Sequence, residues 1–170
     1  MPKWTENRMV AAAADLQQLL NGEGDFDFNI VRPLPVEYAA VVAEAKRAGG
    51  DYIPWFLWSL DSWGTKWNAF ETAVERYGRF AVIRFKTAWS EPDHEMLSEF
   101  AALCSTPIWF EYAHESFDGV HAMAIGNDGA REPRSDHFLM HGKAWGDDSP
   151  LPDRAVDSVY DEATIARHLR

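Results

Sequence analysis

Apolar and polar residues alternate over Phe80-Ala-Val-Ile-Arg-Phe-Lys-Thr-Ala88, predicting a β-strand. Ala81, Ile83 and Phe85 point one way, and Arg84 and Lys86 the other. After Ser90-Glu-Pro92 the period changes to that of a helix, with Met96, Leu97, Phe100 and Leu103 as its buried stripe. Ser90 or Glu91 can cap that helix, and Pro92 suits its first position. Two more strands follow, Ile108–Tyr112 and Val120–Ile125, joined across 113–119 with Asp118-Gly119 as a hairpin-type turn pair.

The first half is less regular. Asn7–Ala13 reads as a short strand, and Ala14–Leu20 as a short helix stopped by Asn21-Gly22. Phe26–Ile30 alternates and reads as a strand or an extended segment. Pro33-Leu34-Pro35 breaks the chain and opens a helix through Tyr38, Val41, Val42 and Ala45, which Gly49-Gly50 ends. Trp55–Leu60 reads as a short helix or an extended cover for the core. Beyond Gly129, Phe138–His141 suggests one more strand and Asp161–Leu169 a terminal helix. This order predicts an α+β fold: a ferredoxin-like antiparallel sheet with helices packed on one face. Residues 1–129 form that domain, and residues 130–170 form an extension packed on it or partly flexible.

A chain of 170 residues with 46% hydrophobic and 25% charged residues can bury a real core. No apolar run reaches membrane-spanning length, and Met1-Pro-Lys-Trp-Thr-Glu6 carries no signal-peptide core, so the expected location is the cytoplasm. Cys104, the single cysteine, sits among Phe100, Ala102 and Leu103 and reads as a buried thiol. Net charge is −11, and its distribution changes the picture more than its size does. Between Lys86 and Arg131 there is no lysine or arginine, but there are Glu91, Asp93, Glu95, Glu99, Glu111, Glu115, Asp118 and Asp128. Such a field repels phosphate and attracts basic partners. The alternative is a solvated face that keeps the protein soluble.

The densest candidate chemistry is Asp61-Ser-Trp-Gly-Thr-Lys-Trp-Asn68. Trp63 and Trp67 would share one face of a helix, but Gly64 suggests a turn. Together with Trp89, the residues Asp61, Trp63, Lys66, Trp67 and Asn68 outline a possible pocket. Lys66 between aromatic walls could bind an anionic group, with Glu111 and His114 gathered around the tryptophans and the pair His114 and Glu115 for acid–base work. Alternatively, Lys66 and Asn68 tie down a loop while the indoles pack in the core. No nucleophile elbow, phosphate-binding glycine loop or kinase signature is present, and no cofactor is expected. The spacing of Glu111, His114, Asp118 and His121 matches no zinc or calcium loop; His137 and His141 could chelate only if helical. Stacking of single-stranded nucleic acid on the sheet is a third possibility, with only Arg84 and Lys86 as a basic track.

Five segments carry a family resemblance: Pro2-Lys-Trp4 with Asn7; Phe28-Asn-Ile30 with Pro33-Leu-Pro35; Trp63-Gly-Thr-Lys-Trp-Asn68; Phe85-Lys-Thr-Ala-Trp-Ser90 with Pro92; and Phe117-Asp-Gly119. In this order they resemble the YubB ferredoxin-like family of conjugative plasmids, phages and prophages. The resemblance covers roughly residues 2–129. Thr5 stands where such proteins often carry cysteine, the linker before the tryptophan motif is short, and residues 130–170 have no counterpart. It implies a ferredoxin-like fold and a mobile-element origin, and no reaction. The expectation is a non-catalytic acidic interaction module. It would inhibit a basic nucleic-acid-handling or defence protein of the host through Glu91, Asp93, Glu95, Glu99, Glu111, Glu115 and Asp118. The alternatives are an enzyme or small-molecule binder using the Trp63–Asn68 pocket, and single-stranded nucleic-acid binding.

Overall fold

Strand β1 (Trp4–Ala12) runs through the middle of a six-stranded sheet, between β3 (Phe80–Ala88) and β4 (Ile108–His114). β2 (Phe70–Tyr77) lies outside β3, while β5 (Val120–Ile125) and β6 (Arg131–Arg134) extend the sheet beyond β4. The order is β2-β3-β1-β4-β5-β6, with every neighbouring pair antiparallel. The computed structural model describes residues 3–48, 55–114, 120–134 and 162–169. Its helices are α1 (Leu16–Leu19), α2 (Val36–Ala48), α3 (Trp55–Trp63), α4 (His94–Ala102) and α5 (Glu162–His168). The fold is α+β, and its six-strand order differs from the four-stranded ferredoxin-like sheet.

Strand alternation sorts the side chains onto two faces. Met9, Ile83, Phe85, Phe110 and Met123 project into the main core, where they meet Leu16 and Leu19 of α1, Trp63 of α3, and Met96, Leu97 and Phe100 of α4. At its centre the Phe26 ring lies 4.6 Å from that of Phe85 and 4.7 Å from that of Phe100. On the opposite face Val10, Val82, Trp109 and Ala122 pack with Ile165 of α5. The helices therefore do not all cover one face. β6 pairs with β5, so the sheet also runs past residue 129.

The second face holds a row of charge. Register places Arg8 beside Arg84 on one side and Glu111 on the other. Arg8 and Glu111 are buried, and Glu111 accepts from Trp109 Nε1 at 2.8 Å. Burial pulls the Arg8 guanidinium below its usual pKa, against the raising effect of Glu6. Arg84 pairs with Glu75.

Several local expectations need correction. β2 went unrecognised because a bulge between Phe70 and Ala73 breaks its alternation, with Glu71 at φ +49°. β6 was hidden by its charge and by Pro133, features that suit an edge strand. Phe26 makes only a single bridge to Leu20, and Phe28–Ile30 is a 3₁₀ turn because Asp27 caps it by accepting from Asn29 N. Ala13–Asp15 is likewise a 3₁₀ turn leading into α1. The cap of α4 is Asp93, whose Oδ1 accepts from Glu95 N and Met96 N, rather than Ser90 or Glu91. The turn at 115–119, the segment Phe138–His141 and the residues Gly49, Gly50, Glu115, Asp118, His137 and His141 lie outside the described residues.

Cys104 is buried, and burial, with the Asp15 carboxylate adding to it, pushes its thiol up to about 12. Native protein at pH 8 is therefore expected to resist iodoacetamide, with rapid labelling only after unfolding in denaturant. Equal rates in both states would show that the thiol is accessible.

Candidate functional site

The tryptophan motif begins where α3 stops. Gly64 sits at φ +75°, and a Cβ on it would lie 2.7 Å from the backbone nitrogen of Asp93. That closeness lets Asp93 N donate to Trp63 O at 2.7 Å, locking the end of α3 to the start of α4. Trp63 faces the core, with its indole N–H donating to Arg32 O at 2.9 Å and its ring against Phe28 and Trp58. Trp67 points elsewhere, packing on Trp4 and Phe70. The two indoles thus do not bracket a common pocket.

The rest of the motif docks on the turn after β3. Lys66 N donates to Ala88 O at 3.2 Å, the Ser90 hydroxyl donates to Gly64 O, and Thr87 Oγ1 donates to Ser90 O at 2.6 Å. Asn7 reaches the same turn through Nδ2, which donates to Thr87 Oγ1 at 2.9 Å. Asn68 works as a staple: Oδ1 accepts from Phe28 N at 3.0 Å and from Ala69 N at 2.7 Å, and Nδ2 donates to Asp27 Oδ1 at 2.7 Å. Burial works against the Asp27 charge, but the hydrogen bonds from Asn68, Asn29 and Asn21 prevail and hold its carboxyl below the usual range.

One part of this assembly faces outward. Trp89 is 43% exposed and sits at φ +81°, a conformation a bulky side chain rarely adopts. Its own N–H donates to Lys3 O at 2.8 Å, which holds the turn in place. The Lys66 ammonium lies 4.7 Å from the Trp89 ring centroid, and 5.6 Å from those of Phe56 and Trp67. Three aromatic faces around one ammonium give it a favourable cation–π environment. Phe56 meets Trp89 edge-on at 5.4 Å, and on the same helix Leu57 and Asp61 are exposed, four residues apart. The surface is an aromatic mount carrying a projecting indole.

The carboxylates expected to form one acidic face divide. Glu91 Oε2 lies 3.4 Å from His114 Nε2 and its Oε1 lies 3.9 Å from His94 Nε2. Asp93 and Glu99 hold the Arg32 guanidinium, at 3.5 and 2.7 Å; its pKa is raised, first by the hydrogen bond to Glu99. Glu95 is exposed. Glu111 is buried on the other side of the sheet, so it is not part of that surface. Thr5 Oγ1 and His114 Nδ1 are 3.0 Å apart, giving a chain of contacts from Thr5 through His114 to Glu91. Thr5 is fully buried, so its hydroxyl has no open approach as a nucleophile. Among the described residues no three His, Cys, Asp or Glu side chains gather as a metal site, and no helix is long and apolar enough to cross a membrane.

The sequence alone assigns no site role to Arg32, Phe56 or Leu57. Arg32 had no local signal, because its partners lie 61 and 67 residues away. Phe56 and Leu57 sat in a segment read as core cover, where the helical period is too short to show which side is exposed. In comparison with known proteins, no family model, no curated protein and no solved structure matches the chain.

Proposed function

We propose that this chain is a non-catalytic binding module that docks on a basic protein surface, with Trp89 as its anchor. The observation that carries the reading is an indole 43% exposed on a backbone held at φ +81°. Strain of this kind costs about 1–3 kcal/mol and persists where the surroundings enforce it, most often at functional positions. Tryptophan is among the residues enriched at the energetic centres of protein interfaces. Glu91, Glu95 and Asp61 place negative charge on the elements flanking it, and the net charge of −11 steers the whole chain toward positive partners. A basic surface of this type belongs to proteins that handle nucleic acid, so the module acts by occupying such a groove on a host or defence protein.

The portion β2-β3-β1-β4 has the strand order and antiparallel pairing of a ferredoxin-like sheet, with β5 and β6 added to one edge. The proposed relation to the YubB family and the proposed origin on a mobile element rest on the sequence motifs.

Trp89→Gly is the decisive variant, because glycine adopts φ +81° without strain. Its stability is expected within about 1 kcal/mol of the parent, the lost ring contacts being offset by the relieved backbone. Immobilised parent protein is expected to retain a basic nucleic-acid-binding protein in a salt-sensitive manner. Trp89→Gly, and separately Asp61→Lys with Glu95→Lys, should each weaken that retention at least tenfold. Unchanged retention by both variants would sink the proposal.

A further inference from the structure

A cavity of about 760 Å³ lies between the sheet and α5, lined by residues that play no part in the Trp89 surface. Phe80, Ile108, Trp109 and Leu169 give it an apolar body. Its charged lining is mainly cationic: Arg79, Arg131 and Arg134, with Glu132 the one acid among the described lining residues. Gathering three arginines at one cavity is notable in a chain with 16 lysines and arginines against 27 acids.

Internal partners leave much of this charge unsatisfied. Arg79 meets Glu162 at 3.3 Å in a largely exposed pair, and Arg134 meets Glu132 at 3.3 Å. Arg131 is exposed and has no ion pair among the described residues. Arg134 is the most telling. Its guanidinium lies over the Trp109 ring at 5.6 Å, and its Nε is buried with no hydrogen-bond partner. A buried donor without an acceptor is uncommon in folded proteins, and an acceptor supplied by a ligand accounts for it. Guanidinium groups match the paired oxygens of carboxylate and phosphate. The volume falls within the range of small-molecule sites.

We infer that this cavity binds a small amphiphile, an apolar body ending in a carboxylate or a phosphate. The apolar part lies against Phe80 and Leu169, and the anionic end meets Arg134, whose register partner Ala122 puts it on the α5 face of the sheet. This site is independent of Trp89, and Trp89→Gly is expected to leave it intact.

Calorimetric titration of the full chain with decanoate, decyl phosphate and the neutral control decanol tests the assignment. One-site saturable binding is expected for at least one of the anions, with decanol at least tenfold weaker. Whichever anion binds more tightly identifies the headgroup. Arg131→Gln, whose register partner Ile125 lies on the opposite face of the sheet, is the charge-matched control and should leave binding of that anion within twofold. Arg134→Gln should weaken it at least tenfold, and Ala124→Phe, which fills part of the space, should abolish it. Failure of both anions to saturate, equal affinity for decanol, or binding unchanged in Arg134→Gln would overturn the inference.

Discussion

Gly64→Ala is expected to destabilise the protein by about 3 kcal/mol, although it adds one methyl group at a half-buried position. Two effects combine. An L-residue held at φ +75° is disfavoured by about 1–2 kcal/mol. The new Cβ would also lie 2.7 Å from Asp93 N, 3.0 Å from its Cα and 3.1 Å from its Cβ, so backbone must move. Movement there lengthens the hydrogen bond from Asp93 N to Trp63 O, and Asp93 is also the cap of α4. Urea unfolding of parent and variant measures the difference. A loss below about 1 kcal/mol would mean that the junction of α3 and α4 yields easily, against the close approach described above.

Asn68→Ala is expected to cost about 2–3 kcal/mol at pH 7, because it leaves the backbone N–H of Phe28 and Ala69 and the Asp27 carboxylate each short of a partner. Part of this loss depends on pH. In the parent, Asp27 has a folded-state pKa below its unfolded value. Its contribution is therefore present above the unfolded pKa and lost as pH falls through the folded one. Removing the Asn68 donor raises the folded pKa toward the ordinary value, so the variant lacks stability that the parent has at neutral pH. In acid below the folded-state pKa, where the Asp27 carboxyl is protonated in both states, that part of the difference vanishes. Denaturant titrations at the two pH values should show a smaller gap between parent and variant in acid. An equal gap at both would mean that Asn68 acts only through its carbonyl.

Period and punctuation made β1, β3, α4, β4 and β5 legible in the sequence, because each is an apolar-rich run or helical stripe bounded by turn residues. β2 and β6 escaped for opposite reasons. A bulge scrambles the alternation of the first, and the second is an edge strand with little to bury. For the candidate site, the Trp63–Asn68 motif was visible but its roles were not. Trp63 and Asn68 proved to be joints, tied to Arg32 and to Asp27 and Phe28, and these partners are set by the fold rather than by spacing. Trp89 became the exposed member because the turn after β3 is pinned to Lys3, a contact across strands that no local pattern announces. Glu111 illustrates the limit of charge counting. In a list of acids it looks like its neighbours, yet strand alternation turns it into the protein, beside Trp109 and Arg8.

The central position of β1 bears on how the chain comes to be folded. Trp4 finds its sheet partner at Ala88 and Thr5 finds its other partner at His114. During synthesis this strand therefore waits with both edges open until β3 has been made, and with one edge open until β4 follows. Pairings this far apart fold slowly and leave an aggregation-prone strand exposed in the meantime. Yield in the cell should consequently depend on translation speed and on chaperone supply more steeply than the stability of the finished protein would suggest.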